Sequence, residues 1–380
     1  MNEVTGVSRW TETDARSWWQ AQRWPCGFNF LPSTAVNFLE LWHRDTFDPA
    51  TIERELGWAS TIGFNAVRVN PHFLVWKHDR DGLLERIDRF LHIADGCKLS
   101  TVLCPFDDCG FGKNEPQYGL QLDPVPNVHN SRAVASPGRA VVMDRSVWPE
   151  LEAYLRDVVR SFRSDERLLF WDLYNEPGNR MEFDSHGFSE YDAGLLSHSQ
   201  ALMGLCFEWA RAEAPEKPLT VGAWLTPLPD TFEQPYQSAI DQQALALSDI
   251  ISYHAYTDSV RNSQFIDYLT ACNRPMVCTE WMARGVDSRI TDQLPMLKKR
   301  DIGCFQWGLV KGRSQTHLAW PTDLIRLLGK EEVDGTWFHD LLDEHGHPYD
   351  PAEIDVIKTL TLADREHDEA ASMSSKNNRN

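Results

Sequence analysis

Short apolar runs alternate with longer amphipathic ones along most of this chain, and that rhythm restricts the fold more than any other feature of the sequence. Apolar stretches at Cys26–Leu31, Asn65–Asn70, Leu99–Phe106 and Leu168–Tyr174 read as strands. Leu219–Trp224, Ile250–His254, Pro275–Glu280 and Ile302–Gly308 read the same way in the second half. Helical patterns separate them. The first opens at Asp48-Pro49, an N-cap followed by proline at the first helical position, and carries Ile52, Leu56 and Ala59 at helical spacing. Leu83–Cys97, Pro149–Phe162, Leu195–Ala212, Gln242–Leu247, Ser259–Cys272 and Thr291–Lys299 continue the series, and Phe338–Leu342 is expected to begin a last helix. Eight strands, each followed by a helix, predict an α/β protein of the closed (β/α)8 TIM-barrel type. A doubly wound open sheet is the alternative, but it normally carries a glycine-rich first turn, and the chain has neither GxGxxG nor GxxxxGK[ST].

Two connections are long. One follows strand three, from about Asp107 to Ser146, and one follows strand eight, from about Leu309 to Trp337. Both leave the C-terminal ends of strands, the face where barrel active sites are built, and loops of this length in a compact domain usually form functional walls or lids. No linker or solenoid repeat divides the chain. The expectation is one catalytic domain over residues 1–365 and a disordered tail of low hydrophobicity over 366–380.

Composition excludes some partners. A formal net charge of −19 repels phosphate backbones, so a nucleic-acid partner is not expected. The first residues carry acids and no apolar run, and no stretch reaches the length of a membrane span. A cytoplasmic protein without a membrane partner is therefore expected. The eight cysteines form no CxxC pair and read as reduced core thiols. His345 and His347 form an isolated HxH with no accompanying donors, so no metal site is expected, and nothing calls for a cofactor. Oligomeric state is left open. The 15 tryptophans suit a protein that stacks flat ligands as well as one with a Trp-rich core.

Two motifs carry chemistry. Trp171–Pro177 (WDLYNEP) and Met276–Trp281 (MVCTEW) each place a glutamate at the end of an apolar strand, and strands four and seven of a barrel face one another across its mouth. Retaining glycoside hydrolysis needs such a pair, one carboxyl protonated to assist the leaving oxygen and one ionised to attack the anomeric carbon. The two groups then stand about 5–5.5 Å apart. Glu176 is the candidate acid and Glu280 the candidate nucleophile.

With Asn175-Glu176-Pro177 after one strand and Glu280 ending a later one, the chain resembles the retaining (β/α)8 glycosidases, and within them glycoside hydrolase family 5, the cellulase–mannanase family. The resemblance runs from Gly27 to Val310. It implies that Arg68 lies near the nucleophile, that Asn175 contacts the sugar 2-hydroxyl, that His254 and Tyr256 form the family's His-x-Tyr pair, and that Trp307 floors the sugar subsite. One position departs from the family. Where many members have a histidine after strand three, this chain has Phe106-Asp107-Asp108. Asp107 then becomes a candidate for binding sugar hydroxyls and His72 a substitute imidazole. Asp108, Asn29, Trp224 and Trp281 also lie near strand ends.

The leading expectation is a retaining β-glycosidase acting on small soluble β-mannosides, β-glucosides or β-xylosides, from the chain end. An endo-acting glucanase or mannanase, or a transglycosylase on the same carboxylates, is the nearest alternative. A non-catalytic sugar-binding barrel would have lost one glutamate. A metal-dependent hydrolase would need histidines on strand one, which offers only Asn29.

Overall fold

The computed structural model describes residues 8–229, 231, 233–331 and 335–362. Eight parallel strands form the central sheet: β1 (Cys26–Asn29), β2 (Ala66–Val69), β3 (Ser100–Leu103), β4 (Leu168–Asp172), β5 (Leu219–Thr220), β6 (Ile251–His254), β7 (Met276–Trp281) and β8 (Gly303–Trp307). They pair in the order β6-β7-β8-β1-β2-β3-β4-β5. A parallel bridge between Ala223 and Tyr253 joins the two edges, and the Thr220 hydroxyl reaches the Ile250 carbonyl at 2.9 Å. The sheet is thus closed, and the chain is a (β/α)8 barrel.

Strand alternation divides the barrel interior into two levels. The lower level is apolar. Ala66, Val102, Phe170, Val277 and Phe305 pack together there with Ala15 and Trp19 from the N-terminal helix Glu12–Gln20. Gly27 belongs to this level because nothing larger fits. A Cβ at that position would lie 2.5 Å from the Ala66 carbonyl oxygen and 2.7 Å from the Phe305 ring. Two residues further along β1, β2 and β4, the inward positions are Asn29, Arg68 and Asp172, all buried and all polar. An apolar plug therefore supports a polar layer at the barrel mouth.

The strand β7 breaks the alternation. Its partners in β6 step from Tyr253–Cys278 to His254–Glu280, so residue 279 is extra, and the pairing with β8 is also irregular between Cys278 and Trp281. A bulge of this kind re-aims the side chains beyond it. Glu280 turns toward the mouth and Trp281 toward the outer core.

Helices enclose the barrel. The helix Pro49–Ile62 starts as its sequence predicts: the Asp48 carboxylate accepts from Ala50 N and Thr51 N, and Gly63 ends it in the left-handed region at φ 113°. Three further segments build walls above the mouth. Phe106–Asp107 pairs in parallel with Tyr174–Asn175. Met181–Asp184 and Gly187–Glu190 form an antiparallel hairpin after β4. The loop after β8 contains the helix Thr322–Leu327, whose Asp323 accepts from the hairpin's Phe188 N at 3.0 Å.

One expected element is absent. Phe338–Leu342 is not helical; its backbone is irregular, with Leu342 bridging Val310 and Pro348, and the last helix begins at residue 351. Residues 338–342 pack apolar side chains beneath the β8 loop, and their clustering mimics a helical face. The expected tail at 366–380 lies outside the described residues. All eight cysteines are unpaired.

Two glycines test this packing. Gly27→Ala is expected to cost about 1–3 kcal/mol through overpacking. Gly57→Ala, at a half-buried helical position with nothing within 4 Å of the new Cβ, is expected to gain about 0.5–1 kcal/mol. Thermal melts of the two variants should therefore move in opposite directions, and melting at the same temperature would contradict the two-level core.

Candidate active site

The polar layer is organised around one guanidinium. Arg68 lies one residue from the end of β2 and is fully buried. Its Nε donates to Asp172 at 2.9 Å, its Nη1 to Asn29 at 2.7 Å and to Glu280 at 3.2 Å, and its Nη2 to Asn175 at 2.7 Å. Two carboxylates balance its charge inside the barrel. Asn29 is held in turn by the Thr279 carbonyl, to which its amide donates at 2.9 Å.

Glu176 and Glu280 meet above this layer. Together with His254 they offer donor atoms that all lie within 4.8 Å of one another. One oxygen of each carboxyl thus comes within that distance of the other, the close approach a retaining pair requires. Glu280 receives the Tyr256 hydroxyl on its other oxygen at 2.9 Å. Glu176 is gripped differently. His254 Nδ1 lies 2.8 Å from Oε1, while Asn179 Nδ2 and Cys109 Sγ approach Oε2 at 2.5 Å and 3.2 Å. His254 also stands 3.7 Å from Glu280, so the imidazole sits between the two carboxyls.

Burial raises the pKa of both glutamates. For Glu176 the donors Asn179 and Cys109 work against it; for Glu280 the charges of His254 and Arg68 and the Tyr256 hydroxyl work against it, and the charge of Glu176 works with it. Burial lowers His254 and disfavours its charged form, while the charges of Glu280 and Asp172 work against that shift.

Glu176 sits on a strained turn, in the left-handed region at φ 41°, with Gly178 at φ 81°. Asp108 holds that turn. Its carboxylate accepts from Gly178 N at 2.7 Å, from Ser199 Oγ at 2.6 Å and from Tyr174 Oη at 2.8 Å. Asp107 faces the other way, accepting from Asn175 Nδ2 at 3.0 Å and from Cys109 N at 2.8 Å. Burial pushes Asp107 up to about 6.

A cavity of about 360 Å³ opens over the pair, and Asp107, Asn175, Glu176, His254, Tyr256, Glu280, Trp307 and Trp224 all line it. Arg68 lies just beneath. Two residues expected nearby are elsewhere. His72 is fully buried and caps the helix Phe73–His78, its Nδ1 accepting from Leu74 N at 3.2 Å, and burial lowers it to about 3. Trp281 is 1% exposed and points into the outer core, because the β7 bulge gives the inward position to Glu280.

The sequence reading did not single out Cys109, Asn179 or Asp172, nor Trp320, which crosses Tyr256 edge-to-face at 5.2 Å. Asp172 had a signal, an acid two residues beyond Phe170 on the inward face of β4. The other three reach the site through loop geometry alone.

The fold and this buried glutamate pair define the class: a (β/α)8 barrel with a two-carboxylate cleft at the C-terminal ends of its strands. No protein-family model and no curated protein sequence matches the chain. Solved structures do match. GH5_18 from Streptomyces cattleya, in complex with Manβ1-4GlcNAc, aligns with a TM-score of 0.58 at 16% identity, covering 88% of this chain and 80% of that one. The exo-β-1,4-mannosidase from Opitutaceae bacterium strain TAV5 gives 0.57 at 15%, covering 89% and 60%. The endo-β-1,4-mannanase from Thermotoga petrophila gives 0.55 at 11%, covering 91% and 78%. At these identities the likeness establishes the fold.

Arg68→Met leaves Asp172 buried without a counter-charge. It is expected to lower stability by about 3–5 kcal/mol in urea unfolding, and Arg68→Met/Asp172→Asn to recover part of that loss. A single variant as stable as wild type would contradict the charge balance described.

Proposed function

We propose that the chain is a retaining β-glycoside hydrolase of the glycoside hydrolase family 5 type. The observation that carries this reading is the carboxyl pair within 4.8 Å, with Arg68 and Tyr256 on Glu280 and His254 on Glu176. Two buried carboxyls this close share one proton at neutral pH. The guanidinium and phenol favour the anion on Glu280, so the proton resides on Glu176.

The steps follow. Glu280 attacks the anomeric carbon while Glu176 gives its proton to the leaving oxygen. Water then enters, Glu176 takes a proton from it, and the glycosyl ester on Glu280 is broken. Asn175 and Trp307 line the sugar's side of the cavity, the first for a ring hydroxyl and the second for the apolar face of the ring. The contact between Asp323 and Phe188 joins the β8 loop to the β4 hairpin above the cleft, which favours small glycosides or chain ends over internal sites of a polymer. β-Mannosides lead the substrate panel because the structural neighbours named above are a Manβ1-4GlcNAc complex, an exo-β-1,4-mannosidase and an endo-β-1,4-mannanase.

The donor set Glu176, His254 and Glu280 has a composition that suits a cation. Arg68 at 3.2 Å from Glu280 already places a positive charge against it, and activity is expected to be indifferent to EDTA.

Nitrophenyl β-glycosides test the roles. Glu280→Gly is expected to lose at least about a thousandfold in kcat, and azide should restore turnover with a glycosyl azide of inverted anomeric configuration. Unchanged turnover in Glu280→Gly would sink the mechanism. The pH profile should be bell-shaped: rate falls at low pH as Glu280 gains a proton and at high pH as Glu176 loses one. Glu176→Gln, assayed on a dinitrophenyl glycoside that needs no acid, should keep the acid limb and lose the alkaline one.

A further inference from the structure

Seven large hydrophobic side chains are exposed among the described residues, and three of them, Leu196, Leu228 and Leu327, converge on the rim of this one cavity. They come from three separate segments: the helix Leu195–Ala212, the loop after β5 and the helix Thr322–Leu327. Single exposed leucines are ordinary on a protein surface; a cluster around one opening is not. Phe188 and Leu328 line the same cavity.

The rim stands on the side of Glu176. A Cβ at Gly178, two residues past the glutamate, would lie 2.7 Å from Leu196 Cδ1. Trp224, which precedes the Leu228 loop, donates its indole N–H to the Pro177 carbonyl at 3.1 Å. The acid of a glycosidase protonates the leaving oxygen, so the group that departs occupies Glu176's side of the cleft. The charged side chains on that wall, Arg180 and Glu190, pair with each other at 2.9 Å. A departing sugar needs hydrogen bonds, which aliphatic leucines do not supply, and the aromatic faces beside them, Trp224 and Phe188, present apolar surface to an alkyl chain equally well.

We infer that Leu196, Leu228 and Leu327 form the binding surface for an apolar leaving group, so that the substrate is a β-glycoside of a hydrophobic alcohol rather than of a further sugar. The inference rests on the hydrolase reading above. Contacts with the rim remove apolar surface of the alcohol from water, and the gain grows with its length.

Methyl, butyl and octyl β-glycosides of mannose and glucose, below their micelle concentrations, are compared with the β-1,4-linked disaccharides. The expected result is a kcat/KM that rises at least about tenfold from methyl to octyl and exceeds that for the disaccharides. In Leu228→Asn/Leu327→Asn the octyl-to-methyl ratio should fall toward one, a comparison made within one protein and so independent of how well the variant folds. Control Val260→Asn, at an exposed apolar position that does not line the cavity, should keep the ratio. Hydrolysis with a flat chain-length dependence, or a preference for disaccharides, overturns the apolar site while leaving the hydrolase standing. No hydrolysis of any glycoside by wild type, including activated nitrophenyl ones, overturns both.

Discussion

The site depends on one buried guanidinium. Arg68 has partners 39, 104, 107 and 212 residues away in sequence, on β1, β4, the segment after β4 and β7. A planar fork of donors with a charge that cannot be discharged is suited to hold such a set in fixed directions. The cost of burying the charge is offset only because Asp172 and Glu280 lie within hydrogen-bond reach. Fold and site are therefore coupled. The apolar plug below sets the height of Arg68, and Arg68 sets the position of the carboxylate above it.

The two glutamates differ in environment although both are buried. Glu280 faces fixed positive charge and a phenol; Glu176 faces an imidazole, an amide and a thiol. The same desolvation raises both, and in the mechanism proposed above the unlike neighbours make one the anion and the other the acid. Asp107 and Asp108, where histidine is common in the resembled family, take unlike positions. Asp107 lines the cavity, and Asp108 is buried outside it, spending its oxygens on the turn that carries Glu176.

The barrel was legible because each strand left an apolar run of the right length, and all eight runs overlap the observed strands. The glutamates were legible because strand-end acids in WDLYNEP and MVCTEW have few structural reasons to exist. What failed had physical causes. His72 follows a strand and looked like a mouth residue, but the chain turns at once into a helix that His72 caps. Phe338–Leu342 has helical spacing in sequence and irregular backbone in space. Cys109 and Asn179 reach Glu176 through folded loops, which leave no periodic trace. The apolar rim is assembled from three distant segments and is invisible until they meet.

The extra residue in β7 reaches beyond the position of one side chain. Counting along that strand by the alternation that serves the other strands assigns Val277, Thr279 and Trp281 to the interior, whereas the observed inward residue near the end is Glu280. Hydrophobic pattern alone therefore places the inward residue at this end of the strand one position away from the glutamate that occupies it.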